Sequence, residues 1–172
     1  MLDDVTRLSE AAGIEERGHE LRTQLERRLD AVRTAVEGAL RPRVLALEWL
    51  DPPFLGGHWI PEMIEIAGGK DIAGKPAQKS PQVEWEDLAD LDPDVIVSMP
   101  CGWYLDESRA QALAHRNRLE SLSPDRIFAV DAASSFSRPG PRLIDGVELL
   151  AHLFHPQKAL PPQGLEYSSI LD

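Results

Sequence analysis

The sequence predicts an α/β fold: a small parallel sheet flanked by helices and preceded by one long helix. Three short apolar runs of strand length, Val44 to Leu47, Asp94 to Met99 and Arg126 to Val130, recur between helical stretches. Strands that alternate with helices pair in parallel through crossovers. Upstream of them, Leu21, Leu25, Leu29, Val32, Val36 and Leu40 recur at spacings of three and four, the stripe of a long amphipathic helix.

Composition bounds the reading. A chain of 172 residues with 42% apolar content is long and apolar enough for one domain with a sizeable core. The net charge of −11, from 18 basic and 29 acidic residues, disfavours nucleic acid and anionic membranes as partners. No run of about 18 apolar residues occurs, so no transmembrane helix is expected. The opening MLDDVTRLSEAAG is acidic and lacks an apolar centre, unlike a secretory signal. Cys101 is the single cysteine and excludes an internal disulfide.

In chain order, residues 1–40 read as a helical segment. Asp3 or Asp4 caps a short helix that Gly13 stops. The striped helix then runs from about Glu15 to Ala39, with Arg22, Glu26, Arg33 and Glu37 opposite the stripe. At 1.5 Å per residue, about 25 residues give roughly 37 Å, more than one small lobe needs. Its N-terminal part is therefore expected to be exposed or covered by a second copy. Residues 41–155 read as the α/β lobe. Its first strand leads into a helix from Ile60 to Ala67, stopped by Gly68-Gly69. Residues 68–82, rich in Gly, Lys and Pro, read as a long loop, and Val83 to Trp85 as a short strand. A helical turn follows at Glu86 to Ala89. A surface helix is expected over Leu105 to Leu119, and a last helix over Pro141 to Phe154, with proline at a favoured first-turn position. Residues 156–172, containing Pro156, Pro161 and Pro162, read as an irregular tail.

The loops after the three strands have unusual content. The first holds Glu48, Trp49, Asp51, Pro52, Pro53, Phe54, Gly56, Gly57, His58 and Trp59; the second holds Pro100 to Tyr104, including Trp103; the third holds Ser134, Phe136 and Arg138. Loops that follow parallel strands emerge on one edge, where open α/β sheets bind ligands. Trp49, Phe54, Trp59, Trp103, Tyr104 and Phe136 should then share a rim beside Arg138. A rim so aromatic and so poor in charge suits a large, flat, partly apolar ligand.

The segments EWLDPPFLGGHWIPEMIEIAGG, SPQVEWEDLADLDPDVIV, MPCGW and FSRPGPRLIDGVELLAHL together resemble the C-terminal lobe of the cobalamin-binding proteins. These are the vitamin B12 members of the substrate-binding proteins that serve ABC importers, in the class whose two lobes are joined by one rigid helix. The resemblance spans about residues 14 to 156. It implies that the striped helix is the connecting helix, that the first lobe is not in this chain, and that the ligand lies between lobes. A secretory signal would precede that first lobe, so compartment is not fixed by these residues. The resemblance further implies that Trp49 and Phe54 contact the corrin face, and that Ser134 and Arg138 meet its amide periphery. Glu48 stands in a family aromatic slot, Ser134 in place of an acidic residue, and Ser80 in place of a ligand-facing tryptophan. Glu86 matches a carboxylate that docks on arginines of the membrane permease. The expected ligand is cobalamin, held without a prosthetic group and without chemical conversion; an iron-siderophore or haem is the alternative.

Each residue also has a plainer reading. Trp49 and Trp59 suit ordinary half-buried aromatics, Arg138 a brace for its turn, and Glu86 a first-turn carboxylate favoured by the helix dipole. Cys101 has no neighbouring base in sequence to activate it. His152 and His155 lie near each other on a helix end without a completing ligand. His58 is the one histidine in the candidate cleft, placed either as a loop residue or to reach the corrin metal. No phosphate loop, nucleophile elbow or metal cluster is visible, so no enzyme is expected.

Overall fold

A computed structural model describes residues 1–171. The three expected strands form as β1 (Arg43–Leu50), β4 (Val95–Ser98) and β5 (Arg126–Val130), side by side and parallel. Their side chains alternate between the two faces of the sheet. Val44, Ala46, Val95, Val97, Phe128 and Val130 pack with helices α2 (Glu15–Val36), α3 (Ile60–Ile66) and α8 (Leu143–Phe154). Leu45, Leu47, Ile96, Ile127 and Ala129 form the opposite core with α4 (Trp85–Leu88), α5 (Leu105–Ala114) and α6 (Arg116–Glu120). Both faces are buried, as the apolar runs of the strands require. The fold is therefore mixed α/β, a mostly parallel sheet between helical layers.

Three further strands complete the sheet. β2 (Pro53–Leu55) folds back antiparallel on β1, so the proline-rich loop is a hairpin rather than a free crossover. β3 (Lys70–Asp71) pairs in parallel with the start of β1, inside the segment expected as loop. β6 (Tyr167–Ser169) pairs antiparallel with β5 and is followed by buried Ile170. The tail thus ends as an edge strand, against the expectation of an irregular extension. The expected strand at 83–85 is also corrected. Only Gln82 bridges to Phe54, and Trp85 opens α4, because Glu84 and Asp87 form a reciprocal capping box.

The N-terminal segment differs from expectation in one informative way. α1 (Leu2–Ala12) ends at Gly13, whose φ of 67° is the left-handed stop that glycine adopts readily, and turns back along α2. Gly18 of α2 is buried against Ser9 of α1, where an added Cβ would collide with the Ser9 side chain. Met1, Leu2, Val5 and Leu21 reach the main core. The N-terminal half of the long helix is therefore covered by its own chain. Downstream, Leu25, Leu29 and Val32 are buried against the lobe, while Leu40 lies beyond the helix and is 94% exposed. Arg28 ties α2 to α8: its guanidinium meets Glu148 at 2.8 and 2.7 Å and Asp145 at 2.5 Å. Hydrogen bonding to the two carboxylates, Glu148 first, raises the Arg28 pKa further above its usual range despite partial burial. Among the described residues, no helix is long and apolar enough to cross a membrane.

Candidate functional site

The loops after β1, β4 and β5 gather at one edge of the sheet, and a chain of hydrogen bonds joins them. The Cys101 N–H donates to the Glu48 carbonyl at 3.1 Å. The Ala133 N–H, in the turn α7 (Ala132–Ser135) after β5, donates to the Trp103 carbonyl at 2.9 Å. The Gly102 N–H donates to the Ser137 hydroxyl at 2.9 Å. Trp49 and Trp103 then meet edge to face, with ring centroids 4.7 Å apart and planes inclined by 68°. Such geometry places the positive edge of one ring on the negative face of the other. The Trp49 indole N–H donates to the Asp51 carbonyl at 3.1 Å, which pins the ring to its hairpin. Phe54 stands opposite Trp49 across that hairpin, on the same face. Trp49, Phe54 and Trp103 are half-buried, so each keeps ring surface open to solvent, and Tyr104 beside them is 60% exposed.

Not every expected rim residue is on the rim. Phe136 is buried in the main core at 3% exposure, because α7 turns the chain inward before Ser137. Its ring forms part of the floor beneath the rim rather than an open surface. Trp59 is half-buried and braced: its indole N–H donates to the Phe136 carbonyl at 2.8 Å, and its ring packs on the core. Ser134 gives its backbone N–H to the Asp131 carboxylate that caps α7, at 2.9 Å, and is half-buried. Arg138 is exposed at the edge, with no hydrogen bond or ion pair among the described residues. Glu86 is exposed on the first turn of α4, beside Glu84 and Asp87, and lines a hollow shared with the 51–53 turn.

Glu48 has a role the sequence reading did not assign. Its carboxylate accepts from the Gly57 N–H at 3.1 Å and from the Ser80 hydroxyl at 2.5 Å. Gly57 lies so close to Ser80 that a Cβ there would sit 2.5 Å from the Ser80 nitrogen. One carboxylate thereby clamps the 56–58 and 78–81 segments onto the end of β1. The Gly56-Gly57 pair following an acidic residue at a strand end was the available signal. Ser80 consequently spends its hydroxyl inside the loop.

The cavities show what this edge can hold. Glu48, His58, Trp59, Ile60, Met99, Cys101, Phe136 and Ser137 surround a recess of about 40 Å³. Ligand pockets usually enclose about 300–1,000 Å³, so the recess has room for one small group only. A larger hollow of about 490 Å³ sits elsewhere, between the 51–53 turn, α4 and α6, with Asp51, Glu84 and Glu86 against Arg118. Its acidic lining contains none of the rim aromatics. Trp85 borders it, stacked near His115 at 6.5 Å with the Arg118 guanidinium 5.5 Å from its ring centre. Among the described residues, no group of three or more His, Cys, Asp or Glu side chains could hold a metal ion. His152 and His155 serve the fold, binding the carbonyls of Ala159 and Gly68.

Fold and rim together define an α/β lobe with the half-buried rings of Trp49, Phe54 and Trp103 near its strand ends. The chain belongs to the periplasmic binding protein family, whose model matches residues 1–130. Solved structures share the fold. A periplasmic heme-binding protein from Pseudomonas aeruginosa superposes at TM-score 0.75 with 23% identity, over 99% of this chain and 65% of its own. The periplasmic vitamin B12-binding protein BtuF of Vibrio cholerae gives TM-score 0.71 and 23% identity over 90% and 60%. A protein of an Fe³⁺-hydroxamate transport system from Saccharomonospora viridis gives 0.71 and 22% over 90% and 54%. At these identities the likeness establishes the fold alone, and the chain spans less than two thirds of each of these structures. None of the curated proteins matches it in sequence.

Proposed function

We propose that this chain supplies one wall of a corrinoid-binding cleft in the substrate-binding component of an ABC importer, holding its ligand without converting it. The observation that carries the reading is the open aromatic surface of Trp49, Trp103 and Phe54 on one hydrogen-bonded edge. A macrocycle offers a broad carbon face to such rings, and each ring that stacks contributes roughly 1–2 kcal/mol. Arg138, exposed and without a hydrogen bond or ion pair among the described residues, suits the amide oxygens of a corrin periphery. The half-buried Ser134 lies on the same side. Glu86, in an acidic exposed cluster on α4, suits a basic permease surface rather than the ligand. A haem or a ferric siderophore is the second reading, favoured by structural neighbours described as binding haem or carrying Fe³⁺-hydroxamate.

One wall leaves a face of the ligand wet, so affinity for the 172-residue chain should be weak, about micromolar or worse. Titration by tryptophan quenching with cyanocobalamin, hemin and a ferric hydroxamate tests the choice. Cyanocobalamin should bind tightest. Trp49→Ala and Phe54→Ala should each weaken it about tenfold, equivalent to about 1.4 kcal/mol. Equal affinity in all three proteins, or binding of hemin or the hydroxamate alone, overturns the corrinoid reading.

A further inference from the structure

We propose that His58 is an axial ligand to the metal at the centre of a planar macrocycle laid across the rim. The inference rests on the corrinoid reading above and assigns its metal a donor from this chain. Of the five histidines, His115, His152 and His155 spend a ring nitrogen on a backbone carbonyl, and His19 lies in α2, outside the loops of the rim. His58 makes no such bond among the described residues and is exposed. It also lies on the rim, where its ring borders the small recess together with Glu48, Cys101 and Met99. Its ring centre is 5.7 Å from that of Trp59, with the planes tilted by 37°. A neutral imidazole nitrogen is a suitable donor to cobalt or iron.

The backbone at this position is fixed although the side chain makes no hydrogen bond among the described residues. The His58 N–H donates to the Gln78 carbonyl at 2.6 Å, and its own carbonyl accepts from Ala77 at 2.8 Å. Its φ of 53° lies in the left-handed region, which residues with a Cβ adopt at a cost. Both neighbouring glycines are buried, so the loop holds this one side chain outward from a packed turn. Strain of this kind persists where surrounding bonds over-determine it, and it concentrates at ligand-holding positions. The step is a ligand exchange: the imidazole lone pair forms the bond, a metal-bound water leaves, and no electron is transferred.

Cob(II)inamide tests the assignment, because it carries no appended base and any axial nitrogen must come from the protein. Mixed with the 172-residue chain in imidazole-free phosphate buffer, it should show nitrogen superhyperfine splitting in its electron paramagnetic resonance spectrum. His58→Ala should abolish the splitting, and added free imidazole should restore it. By tryptophan quenching, the substitution should weaken cob(II)inamide binding about tenfold. It should leave dicyanocobinamide, whose axial positions are both occupied, bound as before. Splitting that survives in His58→Ala, or its absence in the wild type while dicyanocobinamide binds, overturns the ligation alone. Failure of the wild type to bind either corrinoid overturns the ligation and the corrinoid reading together.

Discussion

His155 shows how a single residue couples this fold to pH. It is buried at the end of α8, with Nε2 3.1 Å from the Gly68 carbonyl. Burial pushes its pKa below the ordinary histidine value; the Gly68 carbonyl opposes this shift, while Arg126 and Lys158 reinforce it. The folded state thus resists a proton that the unfolded chain accepts at about pH 6.5. Stability should fall as pH drops through that value and stop falling once the folded-state pKa is passed. Urea midpoints measured from about pH 8 to pH 5 should decline for the wild type and decline less for His155→Gln. At this same scale the sequence was least informative. Trp49, Trp59 and Phe136 all sit in aromatic loops, yet only Trp49 keeps an open rim surface without a core brace. Which way a loop side chain turns depends on partners far along the chain, as with the Trp59 bond to Phe136, and local spacing carries no record of that.

Among the elements, the regular ones were legible. β4 and β5 are short, mostly apolar runs buried on both faces, and α2 and α8 carry clean stripes. The short edge strands escaped notice, because β2 begins at a proline, β3 is two residues long, and β6 lies beyond several prolines. Their pairing is a property of the neighbouring strand rather than of their own composition. The Arg28 fork between α2 and α8 was equally hidden, since its partners lie more than a hundred residues away. Removing it leaves Asp145 and Glu148 close together and unpaired. Arg28→Ala should destabilise the protein by about 1–3 kcal/mol, and Arg28→Lys should recover only part, lacking the planar fork. Arg33→Ala, which loses an exposed pair with Asp30 inside one helix, should cost less than about 0.5 kcal/mol. Denaturant midpoints of the three variants check the ordering.

For the whole molecule, two surfaces matter most. The aromatic rim lies at the strand ends, whereas Glu86 lies on α4 beside the acidic hollow. With the docking role proposed for it, Glu86→Lys should leave the fold and corrinoid binding unchanged. It should abolish stimulation of the cognate importer, since a like charge facing arginine costs about several kcal/mol. Circular dichroism, a cyanocobalamin titration and a reconstituted transport assay separate these effects, and unimpaired transport removes Glu86 from the interface. The rim has a consequence of its own. Its loops share bonds in series, from Gly57 and Ser80 through Glu48 to Cys101, and from Gly102 and Trp103 to Ser137 and Ala133. Segments joined in this way cannot be exchanged singly: a loop grafted from a relative would arrive without the donors and acceptors its neighbours expect. Altering ligand preference in this lobe therefore means transplanting all the stitched segments at once, as a cassette, with Glu48 and Gly57 carried along.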